Sequence, residues 1–312
     1  MAVTEKVICV VGPTATGKTK MGVALAQRFD GEVVSVDSMQ IYRGMAVGTA
    51  APTAEEMEGV PHHMIGVADP AENWSVARFT QAADACVQDI LRRGKRPILV
   101  GGTGLYLDAL LRGIDFAAGS QDTPLRRQLQ ERLRREGAEE LRRIDPDSAA
   151  RLHLRDEKRI LRALEVYQET GETITQHDRR TQAQPPRYEG LFIGLNFKDR
   201  QDLRDRIDRR VDDMVAQGLL DEVRSLLRSG LPRTATAWQA IGYKQFLAVA
   251  DGRMTEADAV EEVKLRSRQY AKRQLTWLRR NEAIHWVLWD KVPDFPSGLQ
   301  NATTFLTSSG VC

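Results

Sequence analysis

The sequence predicts an α/β protein: a parallel sheet flanked by helices, interrupted by an all-helical insertion domain. Three observations carry that expectation. Through residues 1–114, apolar runs of strand length alternate with stretches of helical periodicity, and repeated βα units imply a parallel sheet with helices on both faces. Residues 122–178 show charged amphipathic periodicity and no strand pattern. Beyond them, Leu191-Phe192-Ile193-Gly194-Leu195 reads as a strand returning to the sheet.

Lys6-Val7-Ile8-Cys9-Val10-Val11 forms the first strand. The loop Gly12-Pro13-Thr14-Ala15-Thr16-Gly17-Lys18-Thr19 follows, and Met21, Val23, Leu25 and Phe29 then recur at helical spacing over about 18–29. Gly-x-x-x-x-Gly-Lys-Thr between a strand and a helix is the context that a phosphate-binding P-loop requires. Its glycines let successive backbone N–H groups curl around phosphate oxygens, and the helix N-terminus adds partial positive charge. Lys18 supplies a point charge, and the Thr19 hydroxyl can ligate magnesium. This chemistry selects a polyphosphate or diphosphate and is silent on what is done with it.

Glu32-Val33-Val34-Ser35-Val36 is the second strand, ending at Asp37; residues 75–93 form an amphipathic helix. Arg96–Gly102 is the third strand, with a helix from Thr103 to about Leu111. Ligands of such sheets sit beyond the carboxyl ends of the strands, where Asp37, Ser38, Gly102 and Thr103 all fall. Asp115–Ser120 has neither strand nor helix signal and reads as a boundary, giving a core of 1–118 with 188–312 and an insertion of 119–187. Inside the insertion, helices run over about 124–136, 138–144 and 156–169, the last stopped by Gly171. Gln182–Arg187, with Pro185-Pro186, is the linker back. Helices over about 200–217, 219–229, 238–250 and 255–281 follow, then a strand in Ala283–Trp289 and a weakly ordered tail after Pro293.

Composition narrows the class. With 28% charged and 42% hydrophobic residues the chain is globular. No apolar run approaches the ~18–20 residues that span a membrane, and the N-terminal run is too short for a secretory signal. Cys9, Cys86 and Cys312 are far apart and odd in number, which suits a reducing, cytoplasmic setting and offers no disulfide framework. The five histidines show no paired metal spacing. Net charge is only +2, and residues 115–190, which enclose the insertion, carry 15 basic and 15 acidic side chains. Val263–Asn281, however, holds seven Lys or Arg and no acid, a local stripe that suits an anionic partner.

Several residues carry candidate chemistry. Asp37 faces the phosphate edge either as a magnesium-holding acid or as a general base; an Asp-Ser pair equally forms a turn or cap. Thr103 can cap the helix it precedes or touch substrate. Arg206 and Arg210 stand one turn apart: they converge on one anion, or they pair with Asp202, Asp205, Asp208 and Asp213 on a solvated face, which spacing by itself favours. In the basic helix, Leu265, Arg268, Leu275 and Leu278 define a face expected toward the core. Arg266, Tyr270, Arg273, Trp277 and Arg280 define another, whose interleaved aromatics suit a nucleic-acid backbone with stacked bases. Lys158-Arg159-Ile160-Leu161-Arg162 offers a second basic edge, and Arg126 with Arg127 a third.

The strings Gly12–Thr19, Asp37-Ser38-Met39-Gln40-Ile41-Tyr42-Arg43-Gly44-Met45, Gly101–Tyr106, Arg206–Val211, Ile241-Gly242-Tyr243-Lys244 and Lys272–Arg279 stand in the order found in bacterial tRNA dimethylallyltransferases (tRNA isopentenyltransferases). The chain resembles that family from Val7 to about Trp289. It departs at Ala46 and Ala51, where the family often has Asp and Lys. The resemblance implies transfer of a dimethylallyl group from dimethylallyl diphosphate to the exocyclic N6 of the adenosine 3′-adjacent to the anticodon in tRNA. It implies that Gly12, Pro13, Thr14, Ala15, Thr16, Gly17, Lys18 and Thr19 hold the diphosphate with Mg²⁺ on Thr19, joined by Arg206 and Arg210. It makes Asp37 the general base, with Lys18, Thr19, Thr103 and Arg210 as further catalytic residues. RNA contacts are implied at Asp37, Ser38, Met39, Gln40, Thr103, Arg126, Lys158, Arg159, Ile160, Leu161 and Arg162. They are implied also at Gln239, Ala240, Ile241, Gly242, Tyr243 and Lys244, and at Lys272, Arg273, Gln274, Leu275, Thr276, Trp277, Leu278 and Arg279. The insertion would clamp the anticodon stem-loop so that the target base can be flipped, and the protein would work as a monomer. Rival readings on the same P-loop are a small-molecule or nucleotide kinase, a prenyltransferase acting on free adenine nucleotides, and a non-catalytic RNA-binding ATPase switch.

Overall fold

The structure, a computed structural model, describes residues 5–114, 124–136, 138–153 and 155–311. The expected boundary at Asp115–Ser120, the 118/119 division and Cys312 lie outside the described residues. In chain order the elements are β1 (Glu5–Val11), α1 (Lys18–Arg28), β2 (Gly31–Val36), α2 (Ala46–Thr49), α3 (Ala54–Met57), β3 (His62–His63), α4 (Val76–Arg92), β4 (Arg96–Gly101) and α5 (Gly104–Arg112). Then come α6 (Pro124–Glu136), α7 (Glu139–Ile144), α8 (Pro146–Arg151), α9 (Glu157–Thr170) and α10 (Ile174–Ala183). The chain finishes with β5 (Tyr188–Phe197), α11 (Arg200–Ala216), α12 (Leu219–Arg228), a 3₁₀ turn at Thr236–Gln239, α13 (Tyr243–Ala250), α14 (Glu256–Leu278), β6 (His285–Trp289) and α15 (Phe295–Ser308). The short β3, α2 and α3 carry too few residues to show a period in the sequence. The chain divides into two compact units, Met1–Leu111 with Arg187–Cys312, and Arg112–Pro186.

The first unit is built on one six-stranded parallel sheet of order β3-β2-β4-β1-β5-β6. β1 lies between β4 and β5, with Val11 level with Gly101 and Gly194, so the P-loop leaves the middle of the sheet. Side chains alternate across β1: Val7, Cys9 and Val11 join the core on one face, Ile8 and Val10 the core on the other. A strand covered on both faces must be apolar throughout, which is why β1 reads as an unbroken hydrophobic run.

Two expectations are corrected here. The tail after Pro293 is helical: Asp294 Oδ1 accepts from Ser297 N at 3.1 Å, and Phe295, Leu299, Ala302 and Leu306 turn one apolar stripe inward. That spacing was present in the sequence, under a cap disguised by proline. Leu265 does not face the core; it is 45% exposed. The buried stripe of α14 is Ala259, Val263, Ala271, Gln274 and Leu278. Trp277 packs on Gly104, where an added Cβ would stand 2.2 Å from the indole.

The second unit is all helical among its described residues. Leu129, Leu133, Leu141, Ile160, Leu161 and Leu164 form its core. Buried Asp145 caps α8 through Ser148 N at 3.0 Å and accepts from both Thr175 N (3.0 Å) and Thr175 Oγ1 (2.7 Å), tying α10 to α8.

Candidate active site

The P-loop is held by donors from distant parts of the chain. Trp289 Nε1 donates to the Thr16 carbonyl at 3.0 Å, and Arg206 Nε to the Ala15 carbonyl at 3.2 Å. C=O and N–H point in opposite directions across a trans peptide, so these two bonds also fix the N–H of Thr16 and Gly17. Among the described residues, no acceptor takes the N–H of Thr16, Gly17, Lys18 or Thr19. The loop therefore offers a row of fixed donors at the N-terminus of α1, the arrangement that receives phosphate oxygens. Gly17 has φ 87°, and a Cβ there would meet Phe295 at 2.5 Å; only glycine fits.

Arginines from α11 complete the cradle. Leu203, Ile207 and Val211 bury one side of that helix, which swings Arg206 and Arg210 onto the P-loop. Arg210 Nη1 donates to Thr14 Oγ1 at 2.8 Å and Nη2 to the Ala50 carbonyl at 3.4 Å. The solvated-face reading is thus overturned: Asp208 is held by Arg268 at 2.6 Å, and Asp205 accepts from Gln201 Nε2 at 2.7 Å. Tertiary burial, invisible in the spacing, decided the rotation. Lys18 Nζ donates to the Pro13 carbonyl at 2.8 Å. Burial, then the neighbouring Arg210, push its pKa down to about 7 against the opposing pull of Asp37. Burial also lowers Arg206 and Arg210. Cations whose charge burial disfavours gain when a polyanion joins them.

Asp37 follows β2 directly. Its Oδ1 accepts from Met39 N at 2.8 Å and Gln40 N at 3.2 Å, so the turn-forming reading holds for that oxygen. Oδ2 has no hydrogen bond to a described residue. Asp37 lines a cavity of about 520 Å³ with Lys18, Thr19, Arg206, Arg210 and Tyr270. Gly102, at the end of β4, lines it too. The next residue, Thr103, has a buried Oγ1 without a well-formed hydrogen bond. It is therefore not spent on capping α5. Burial pushes the Tyr106 hydroxyl up to about 12 and also raises Tyr270, so both stay neutral donors.

Comparison with known proteins fits these features. A family model described as IPP transferase matches residues 40–281, and one described as isopentenyl transferase matches residues 5–66. A tRNA dimethylallyltransferase of Geobacillus thermodenitrificans is 47% identical over 91% of this chain and 90% of its own length. One from Caldanaerobacter subterraneus is 41% identical over 96% and 97%. This chain belongs to the tRNA dimethylallyltransferase family. It is therefore a transferase, and solved relatives share its fold. The crystal structure of a full-length tRNA isopentenylpyrophosphate transferase from Bacillus halodurans has 41% identity and a TM-score of 0.73, covering 97% of this chain and 96% of that one. A eukaryotic dimethylallyltransferase acting on tRNA has 32% identity and a TM-score of 0.79, covering 96% and 77%.

Against the RNA contacts that family resemblance implies, the placements divide. Gln239, Ile241, Lys244 and Arg273 line a shallow surface depression of about 320 Å³. Lys272, Thr276 and Arg279 are exposed and Trp277 is half-buried over Gly104. In the helical unit Lys158 is exposed, Arg159 pairs with Asp156 at 3.4 Å, and Arg126 and Arg162 both reach the buried Glu165, at 2.6 and 3.7 Å. Ser38 and Met39 are half-buried. Other side chains correct the expectation. Ile160, Leu161, Ala240, Tyr243, Gln274 and Leu278 are buried, because these strings alternate core and surface positions.

Two of those buried residues do structural work on the site. Gln274 Oε1 accepts from Thr14 N at 3.0 Å while its Nε2 donates to the Gly102 carbonyl at 3.1 Å, bridging the P-loop to the loop that holds Thr103. Tyr243 donates its hydroxyl to Glu222, whose oxygens accept from Val47 N (2.9 Å) and Gly48 N (3.0 Å). This anchors the segment containing Ala46 and Ala51, which lines the cavity and is also tied by Gln40 Nε2 to the Thr49 and Ala50 carbonyls, both at 3.3 Å. Sequence reasoning missed Glu222 and Trp289: a lone acid on an amphipathic helix and a tryptophan in a short strand carry no motif.

Proposed function

We propose that this protein transfers the dimethylallyl group of dimethylallyl diphosphate to N6 of the adenosine 3′-adjacent to the anticodon in tRNA. The observation that carries the reading is the convergence of P-loop N–H groups, Lys18, Arg206 and Arg210 on one side of a cavity whose lining includes Asp37. The C1–O bond to the diphosphate breaks and the N6–C1 bond forms. An allylic carbon tolerates positive charge, so stabilising the leaving diphosphate is the largest contribution; Lys18, Arg210 and the loop N–H groups supply it. The N6 lone pair is delocalised into the purine, and Asp37 Oδ2 accepts the N6 proton while Oδ1 holds the carboxylate in its turn. Thr103 Oγ1, with hydrogen-bonding capacity to spare, positions the acceptor base.

The Thr19 hydroxyl offers a hard oxygen donor, and among the described residues no group of three or more His, Cys, Asp or Glu forms a metal cage. That donor set fits Mg²⁺, which binds through few protein ligands plus substrate phosphates. When bound, the ion neutralises charge on the leaving diphosphate. The RNA partner is the anticodon stem-loop, with the helical unit as its clamp, and the monomer is the working form. Buried Cys9 is a free thiol, and among the described residues no helix is long and apolar enough to cross a membrane; both suit work in the cytoplasm.

The test is one reaction series with Mg²⁺, unmodified tRNA and labelled dimethylallyl diphosphate, alongside free-AMP and ATP-only controls. Label is expected at an anticodon-adjacent adenosine. Label entering only AMP, or phosphate release from ATP without transfer, would overturn the reading.

A further inference from the structure

α14 carries charge on two sides. Arg266 and Arg273 face the shallow depression shared with Lys244. On another side, α14 and the first turns of α11 wall a separate groove of about 780 Å³. Arg200 and Arg204 line it from α11, Lys272 and Arg279 from α14. All four are exposed, and among the described residues none of their side chains makes a hydrogen bond or ion pair. The other two cations of the groove are matched: Arg268 grips Asp208, the one carboxylate in the lining, and Lys198 pairs with Asp290 at 2.8 Å. Nearby Asp199 and Asp205 are occupied locally, accepting from Gln201 N and Gln201 Nε2, each at 2.7 Å. The groove lining therefore holds four cations without an ion-pair partner, beside the carboxylates of Asp199 and Asp205, which keep their charge.

Their spacing selects the partner. Arg200 and Arg204 are one helical turn apart, and Lys272 and Arg279 about 10 Å apart along their axis at 1.5 Å per residue. A single small anion meets one such pair; two rows along two helices suit successive phosphates of a polynucleotide. Gln269 lines both this groove and the depression on the other side. The charged surface is thus continuous across the exposed crest of α14, from the expected base-handling face into the groove.

We infer that the α11–α14 groove is a second RNA-binding surface, which takes the sugar–phosphate backbone of the tRNA outside the reacting loop through Arg200, Arg204, Lys272 and Arg279. The inference rests on the RNA reading above, in which Lys272 and Arg279 are already implied contacts, and extends it to Arg200 and Arg204, which no motif marks. Phosphate contacts fix register and orientation and carry no sequence information, so the groove strengthens binding to all tRNAs alike.

The test compares wild type, the double variant Arg200→Gln/Arg204→Gln, and a control pair of exposed arginines elsewhere, Arg28→Gln/Arg228→Gln. tRNA affinity is measured across a salt series, and inorganic diphosphate binding alongside. Each lost phosphate contact should reduce the slope of log K against log [salt] by about 0.7 to 0.9. The groove variant should lose about twice that while the control keeps the wild-type slope and diphosphate binding stays the same. An unchanged slope in the groove variant, with tRNA still binding wild type, overturns the groove and leaves the transferase reading standing. An equal loss in the control reduces the effect to net charge, and altered diphosphate binding makes the groove a small-anion site; either overturns the inference. Wild type that fails to bind tRNA at all overturns the RNA reading itself.

Discussion

Asp37 divides its work between two oxygens, one holding a turn and one toward the cavity. Asp37→Asn keeps an acceptor for Met39 N and Gln40 N and removes the base. Transfer should fall about 10² to 10⁴-fold with tRNA affinity retained; near-normal turnover would remove Asp37 from proton transfer. Lys18 makes a different prediction. Its pKa, held near 7 by burial and Arg210, lies below that of an unfolded lysine, so the folded protein binds fewer protons between about 7 and the unfolded value. In that window the ligand-free protein gains stability as pH rises. A bound diphosphate pulls the other way and restores the proton. Diphosphate binding just above pH 7 should therefore take up a proton, read by calorimetry in buffers of different ionisation enthalpy, and weaken as pH rises; Lys18→Met should abolish the uptake. Uptake that persists in Lys18→Met would place the titrating group elsewhere.

At the scale of elements, the site depends on pieces far from it in sequence. β6 and α15 hold the P-loop from behind, through Trp289 on the Thr16 carbonyl and Phe295 on Gly17. Trp289→Phe keeps most of the aromatic packing and loses one hydrogen bond, worth about 1 kcal/mol. The expected result is a several-fold rise in KM for dimethylallyl diphosphate with tRNA affinity unchanged, and steady-state kinetics decide it. Glu222 on α12 anchors α2 by accepting from Val47 N and Gly48 N. Glu222→Ala strands the partly buried Val47 N–H, at a cost of about 1–3 kcal/mol, and leaves the Gly48 N–H only the Tyr243 hydroxyl. A lower melting temperature together with weaker diphosphate binding is expected, because the Ala50 carbonyl that follows α2 is an Arg210 partner. A drop in melting temperature with diphosphate affinity intact would make the anchor purely structural.

At the scale of the molecule, the sheet does not need the helical unit to close. β5 pairs with β1 along its whole length, from Glu5 with Tyr188 to Val11 with Gly194. The chain leaves and re-enters the first unit at neighbouring points: a Cβ on Gly190 would lie 3.1 Å from Leu111 Cδ1. Asp84 also holds the re-entry, accepting from Arg187 Nη2 at 2.7 Å and from the Tyr188 hydroxyl at 2.6 Å. Replacing residues 113–186 by a short Gly/Ser linker should leave a folded protein that binds diphosphate and has lost transfer to tRNA. Full transfer by the excised protein would deny the helical unit its proposed clamp role, and failure to bind diphosphate would show that the P-loop needs it.

The sequence by itself determined the parallel sheet, the P-loop and the positions of Asp37 and Thr103 at the strand ends. Those signals are local: a strand buried on both faces must be apolar, and a loop that wraps phosphate must have glycine, lysine and a hydroxyl at fixed spacing. It also held the motifs that mark the family. Only the tertiary structure decided which way α11 turned its arginines, which residues of α14 were core, and that the tail is a helix behind the P-loop. The reason is that i and i+4 spacing defines a helix face without saying what that face meets. Arg206 and Arg210 had four aspartates within reach on their own helix and went to the P-loop because Leu203, Ile207 and Val211 were buried. Gln274, Glu222 and Trp289 act through partners 172 to 273 residues away, and no local pattern encodes a contact at that distance.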